Sequence, residues 1–124
     1  MKTILIVEDN DKNMKLARDI LQAKGYTTLE AINGETGVRL ALEHRPDLVL
    51  MDIQLPDING IEAFGRIRAH AGTRHIPVVA FTASVTAGDR SRITDAGFDA
   101  FIGKPINLKE FLATVAQALA RANP

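Results

Sequence analysis

Apolar residues in this chain gather in short unbroken runs instead of alternating with polar ones. Residues 4–7 (Ile-Leu-Ile-Val), 48–51 (Leu-Val-Leu-Met), 78–81 (Val-Val-Ala-Phe) and 101–103 (Phe-Ile-Gly) are such runs. A strand apolar on both sides is one buried on both faces, as in a parallel sheet covered by helices. Thr27-Thr28-Leu29-Glu30-Ala31 is weaker and reads as an edge strand. Between the runs the period becomes helical. Leu108, Phe111, Leu112, Val115, Ala116 and Leu119 form one stripe, predicting a last helix that covers the sheet. Asn59 with Glu62 and Asn107 with Glu110 have capping-box spacing, which starts one helix after Asp52 and another after Lys104-Pro105. Asn10 or Asp11 is placed to cap the first helix. Gly25 and Gly97 stand where the first and fourth helices should close in a left-handed residue, and Pro46 and Pro77 stop helices ahead of strands three and four. The fourth helix, within 84–96, is weakly specified: Gly88 interrupts it, and Val85, Ala87, Ile93 and Ala96 are its apolar positions. Strand and helix thus alternate five times. Right-handed crossovers make this an α/β fold, a doubly wound five-stranded parallel sheet of order 2-1-3-4-5, over residues 1–124 as a single domain.

The bulk properties narrow the partners. With 15 basic and 15 acidic residues the formal charge is zero, which leaves no electrostatic footprint for nucleic acid or an anionic membrane. A chain of 124 residues buries one core without disulfide or structural metal, and it holds no cysteine, compatible with a reducing compartment. The apolar run before Glu8 is too short for a signal-peptide core or a membrane span, so a cytoplasmic location is expected.

The candidate chemistry lies where the runs end. Glu8-Asp9, Asp52, Thr82 and Lys104 each follow or close an apolar run, and ligands of an open parallel sheet sit at the carboxyl ends of its strands. Acidic residues at a helix start are also ordinary partners of the helix dipole, and an Asp closing a buried strand is common. Three carboxylates on one rim, however, raise one another's pKa unless a cation sits among them. Oxygen ligands of this kind suit Mg²⁺, with Mn²⁺ a possible substitute. Zinc is a poor match, because His44, His70 and His75 fall on separate elements and read as surface or loop residues. Asp52 has a second use, since a carboxylate can attack phosphorus and form an aspartyl phosphate. Lys104 would then supply a point charge, and Thr82 a hydroxyl donor, to the phosphoryl oxygens.

Glu8-Asp9, Met51-Asp52-Ile53-Gln54-Leu55-Pro56 with Asn59-Gly60, Thr82-Ala83 and Lys104-Pro105 together resemble the receiver domains of two-component signalling, with their CheY-like, flavodoxin-like fold. The resemblance implies that Asp52 is the phosphoacceptor and that Asp9, Asp52 and the backbone carbonyl of Gln54 ligate Mg²⁺, with Glu8 acting through metal-bound water. It also implies that Lys104 contacts the phosphoryl group, that Thr82 reports it, and that Phe101 is the rotating switch. Phe101 stands where many members carry Tyr and so brings no phenol hydroxyl. A cis bond is expected at Lys104-Pro105. Gln54 and Ser84, each two residues past a site residue, are placed to influence water access. The opening Val-Glu-Asp-Asn-Asp-Lys-Asn-Met-Lys-Leu and the Met-Asp-Ile-Gln-Leu-Pro segment resemble the DivK-like single-domain regulators of cell division and polarity.

The expected function is that of a stand-alone response regulator. It would take a phosphoryl group from a histidine kinase or phosphotransfer protein and signal to a downstream protein through helix four, strand five and helix five. Lys12, Asn13, Leu16 and Ala17 with Pro105-Ile106 are the expected kinase-docking surface. The Met-Lys-Thr-Ile start and short tail favour a complete small protein, and a receiver cut from a hybrid histidine kinase or a phosphorylation-independent adaptor are alternatives. An aspartyl phosphatase would want a second carboxylate two residues after the nucleophile, where Gln54 stands, so turnover chemistry is not expected. A flavodoxin-like cofactor carrier would want a Gly/Ser/Thr phosphate loop after strand one, and Glu-Asp-Asn-Asp would repel phosphate there.

Overall fold

The computed structural model describes residues 1–83 and 87–122. Five strands, β1 (Thr3–Val7), β2 (Thr27–Ala31), β3 (Leu48–Asp52), β4 (Val78–Thr82) and β5 (Ala100–Gly103), alternate with α1 (Asp11–Ala23), α2 (Gly34–His44), α3 (Gly60–Ala69), α4 (Ala87–Ala96) and α5 (Leu108–Ala122). All pairings are parallel and the order is β2-β1-β3-β4-β5. This is the doubly wound sheet that the runs predict. Every residue of β3 and β4 is buried, as a strand covered on both faces requires, whereas β2 at the edge keeps exposed positions.

The two faces carry separate cores. Alternate strand residues Ile4, Ile6, Leu48, Leu50, Val79 and Phe81 pack against α1 and α5, while Leu5, Val7, Val49, Met51 and Val78 pack against α2 and α3. That division follows from the two-residue period of a strand. Phe81 meets Phe111 edge to face at 6.1 Å between ring centres. The α5 stripe differs from its prediction: Phe111, Val115, Ala118 and Leu119 face the sheet, but Leu108 is 57% exposed and Ala116 is exposed. The helix touches the sheet along a strip narrower than its apolar face.

Local signals act as their chemistry requires. Asn10, Asn33, Asn59 and Asn107 each accept a hydrogen bond from the backbone N–H three residues on. Gly25 and Gly97 take φ of +96° and +103°. The left-handed end of α2 is instead made by Arg45 at φ +46°, an arginine doing what a glycine usually does. Ser84 and Val85 of the weakly specified segment lie outside the described residues. In α4, Ile93 is buried and Ala96 partly so. No helix among the described residues is long and apolar enough to cross a membrane.

Candidate functional site: an acidic hollow at the carboxyl edge of the sheet

β1 and β3 are neighbours, so the residues that end them arrive side by side. Glu8 extends β1 by one further bond, its N–H donating to the Ala31 carbonyl at 2.9 Å, and it has no exposed surface. Asp9 is exposed. Asp52 closes β3 and is 4% exposed. One carboxylate oxygen from each of Glu8, Asp9 and Asp52 falls within 4.8 Å of the others. They bound a hollow of about 390 Å³ that Asn10, Asn13, Gln54 and Lys104 also line.

Lys104 is the counter-charge. Its Nζ lies 2.6 Å from Glu8 Oε1 and 3.2 Å from Asp52 Oδ2, and 4.7 Å from the centre of the Phe81 ring. The backbone presses it into place, because the Lys104 N–H donates to the Thr82 carbonyl at 3.0 Å where β4 and β5 end together. The Lys104-Pro105 peptide bond is cis. The second oxygen of each buried carboxylate takes a backbone N–H: Asn10 donates to Glu8 Oε2 at 3.1 Å and Gln54 to Asp52 Oδ1 at 3.1 Å. Glu8 Oε1 is close enough to Lys104 for an ion pair but off the angle of a hydrogen bond, so it is a buried acceptor with no hydrogen-bond donor. Burial pushes the Glu8 carboxyl up from its usual value; the ammonium of Lys104 opposes this and the nearby Asp52 carboxylate adds to it. One lysine thus serves two buried carboxylates, and a third is at hand. A hard divalent cation fits that surplus, and the oxygen-only donor set suits magnesium.

Thr82, the last residue of β4, is 1% exposed and pairs in register with Gly103. Phe101 sits on β5 opposite Ala80, half-buried, with the Arg90 guanidinium of α4 5.0 Å from its ring centre. Glu8, Asp9, Asp52, Gln54 and Lys104 therefore share the hollow; Phe101 stands on β5, where a 430 Å³ cleft is lined also by Arg90 and Glu110. Of the expected docking residues Leu16 is 46% exposed, but Ala17 is fully buried in the α1 core and offers no contact surface. Ser84 lies outside the described residues.

Two supporting residues act in ways that the strand-end pattern does not show. A Cβ on Gly60 would collide with the Asp52 carbonyl, so glycine lets the start of α3 close against the end of β3, where its N–H also donates to the Ile53 carbonyl at 2.8 Å. Asp57, in the loop between them, accepts from the N–H groups of Gly34 and Glu35 at 2.8 Å each. It staples the Asp52 loop to the start of α2.

The model of the response regulator receiver domain matches residues 4–116. The chain belongs to this family. Receiver domains are phosphoacceptors of two-component signalling and not turnover enzymes. The chain is 47% identical over 121 residues to the polar-differentiation response regulator DivK of Brucella anthropi, an alignment covering 98% of each. Among solved structures it resembles the receiver domain of a sensor histidine kinase from Pseudomonas aeruginosa, with a TM-score of 0.90, 33% identity and coverage of 96% and 98%. That structure holds a magnesium ion in its active-site cleft. A CheY-like receiver protein from Methanospirillum hungatei superposes with a TM-score of 0.88 at 28% identity, covering 98% of this chain and 96% of that one.

Proposed function

We propose that this receiver domain accepts a phosphoryl group on Asp52 from the phosphohistidine of a histidine kinase or phosphotransfer protein, and signals by changing its affinity for a protein target. The observation that carries the reading is the placement of Asp52: a buried strand-end carboxylate, within 4.8 Å of two others and 3.2 Å from a lysine ammonium. In the transfer an oxygen of Asp52 forms a bond to phosphorus as the phosphorus–nitrogen bond of the donor histidine breaks. Lys104, already between Glu8 and Asp52, would turn its remaining donors to the phosphoryl oxygens. The Gln54 N–H orients the Asp52 carboxylate through Oδ1. Asp9, Asp52 and the Gln54 carbonyl would hold Mg²⁺, with Mn²⁺ as substitute and Glu8 in support; the metal supplies positive charge to the phosphoryl oxygens. Thr82 and Phe101 would report the modification to the face of α4, β5 and α5, where the downstream protein binds.

The match to DivK over 98% of that protein's length supports the reading of a single-domain regulator. Incubation with Mg²⁺ and acetyl phosphate followed by intact mass tests the assignment. One phosphoryl adduct is expected on wild type and none on Asp52→Asn, with labelling abolished by chelation. An undiminished adduct on Asp52→Asn would falsify it.

A further inference from the structure

The end of the molecule opposite the hollow gathers two arginines that form no ion pair among the described residues, beside three histidines. Because β3 and β4 are neighbours, the turn from α2 into β3 (residues 45–47) lies beside the loop from α3 into β4 (residues 70–77). With the last residue of α2, these segments carry Arg45, Arg74 and all three histidines of the chain, His44, His70 and His75, every one of them exposed. The acids around them have partners other than the two arginines. Asp47 Oδ2 accepts from the Thr3 N–H at 2.7 Å. Asp99 Oδ2 accepts from the Val78 N–H at 2.8 Å and pairs with Arg68 at 2.7 Å. Glu43 lies 3.4 Å from Arg39 and 3.9 Å from His44. Among the described residues no carboxylate pairs with Arg45 or Arg74.

Arg45 is also held in position. It closes α2 at φ +46°, a conformation that disfavours any residue with a Cβ, and its N–H donates to the Ala41 carbonyl at 2.9 Å. Its guanidinium lies across Gly72, where a Cβ would come within 3.0 Å of a guanidinium nitrogen. The missing side chain of Gly72 is thus the seat of the arginine. The imidazoles do not form a metal site, since the one group of three or more potential ligands among the described residues is Glu8, Asp9 and Asp52.

We propose that this pole is a docking surface for an acidic, carboxylate-rich segment of a partner protein, engaged whether or not Asp52 is phosphorylated. Guanidinium forks match carboxylates two bonds at a time, and neighbouring imidazoles add donors. Nucleic acid fits less well: two arginines on a chain of zero formal charge, with an acidic hollow at the far end, do not track a phosphodiester backbone. The strands separate this pole from the hollow by roughly 17 Å, so a bound acidic segment and a kinase at the hollow do not compete. Such a tether would keep the domain near a partner, and it stands independently of the phosphoacceptor reading.

The test is fluorescence anisotropy with a labelled peptide of alternating Glu and Asp, against a Gln/Asn peptide of the same length and an oligothymidylate. Arg45→Gly removes the guanidinium while easing the left-handed turn, so the Arg45→Gly/Arg74→Gln double variant keeps the fold, as circular dichroism should verify. Saturable binding of the acidic peptide, weakened about tenfold or more in the double variant, reduced by salt and unchanged in Asp52→Asn, is the expected result. Amide shifts in the wild-type spectrum should fall on residues 44–47 and 70–76. Absence of saturable binding, equal binding by the double variant, or tighter binding of the oligothymidylate would each overturn the proposal.

Discussion

Glu8 has no exposed surface, yet it faces another carboxylate and shares a single lysine with it. Its raised pKa has a definite sign: such a carboxyl favours the fold below its unfolded value, and that support is lost as pH rises through the folded value. At neutral pH the ionised form therefore weighs against the metal-free fold. Glu8→Gln is expected to raise Tm in chelator and to shrink the rise in Tm that Mg²⁺ brings, because Lys104 keeps Asp52 as partner. A Tm in chelator below that of wild type would show that the Lys104 pair outweighs the burial. Asp57 has the opposite sign. Desolvation would raise its pKa, but the N–H groups of Glu35, Gly34 and Ile58 together hold it below the usual carboxylate value. Its contribution is present above the unfolded pKa and lost as pH falls through the folded one. Asp57→Ala should cost about 1 kcal/mol by denaturant unfolding at neutral pH, a loss of the size seen for helix-capping groups, and the difference from wild type should close in acid.

At the scale of elements, the strands and caps were legible because their causes are local. An unbroken run of Val, Ile and Leu needs two covered faces, and an Asn ahead of a helix finds its N–H three residues on, as Asn59 and Asn107 do. What the chain alone does not show is decided by packing between elements. The Leu108 and Ala116 positions are as apolar as Ala118, yet only the last meets the sheet. Nothing local marks Arg45 as a helix end seated on Gly72, and the Asn59-Gly60 motif does not by itself show that α3 closes on the Asp52 carbonyl. The site was legible where strand ends set the position, as for Glu8, Asp52 and Lys104, and illegible where a loop folds back, as at Asp57. Gly60→Ala should destabilise the domain by about 1–3 kcal/mol, the scale of overpacking, and should slow acetyl-phosphate labelling because the Asp52 carbonyl must move. Equal stability and labelling rate would show that the contact relaxes freely. The α4 helix, with Ile93 as its buried anchor, should exchange its amide hydrogens about tenfold faster than α5, which buries Phe111, Val115, Ala118 and Leu119.

Across the whole molecule, a stiff sheet links the hollow to the face of α4, β5 and α5. Thr82 ends β4 in register with Gly103, its carbonyl accepts the Lys104 N–H, and two residues back along the same pair Ala80 faces Phe101. A phosphoryl group on Asp52 adds up to about two negative charges beside Lys104, and in the proposed function the Thr82 side chain turns toward it. Space then opens behind β4 for the Phe101 ring. Without a hydroxyl this ring has no hydrogen bond to mark its outer position. The Arg90 guanidinium at 5.0 Å supplies a different hold, a cation–π contact between α4 and β5 worth about 0.5–1 kcal/mol at an exposed site. Phosphorylation should change target affinity by about five- to 150-fold, the usual range for coupled sites. Thr82→Ala should leave labelling of Asp52 intact but remove that change, since in the proposed function it takes away the sensor and keeps the acceptor. Arg90→Ala should retain the coupling but shift it, raising the affinity of the unphosphorylated protein as the ring is released. Phe101→Tyr should be tolerated. Titration of one target with wild type, Thr82→Ala and Arg90→Ala, each with and without a phosphoryl analogue, separates these roles. If wild type binds the target equally in both states, the face of α4, β5 and α5 is not driven by Asp52, and the domain acts as a constitutive adaptor there.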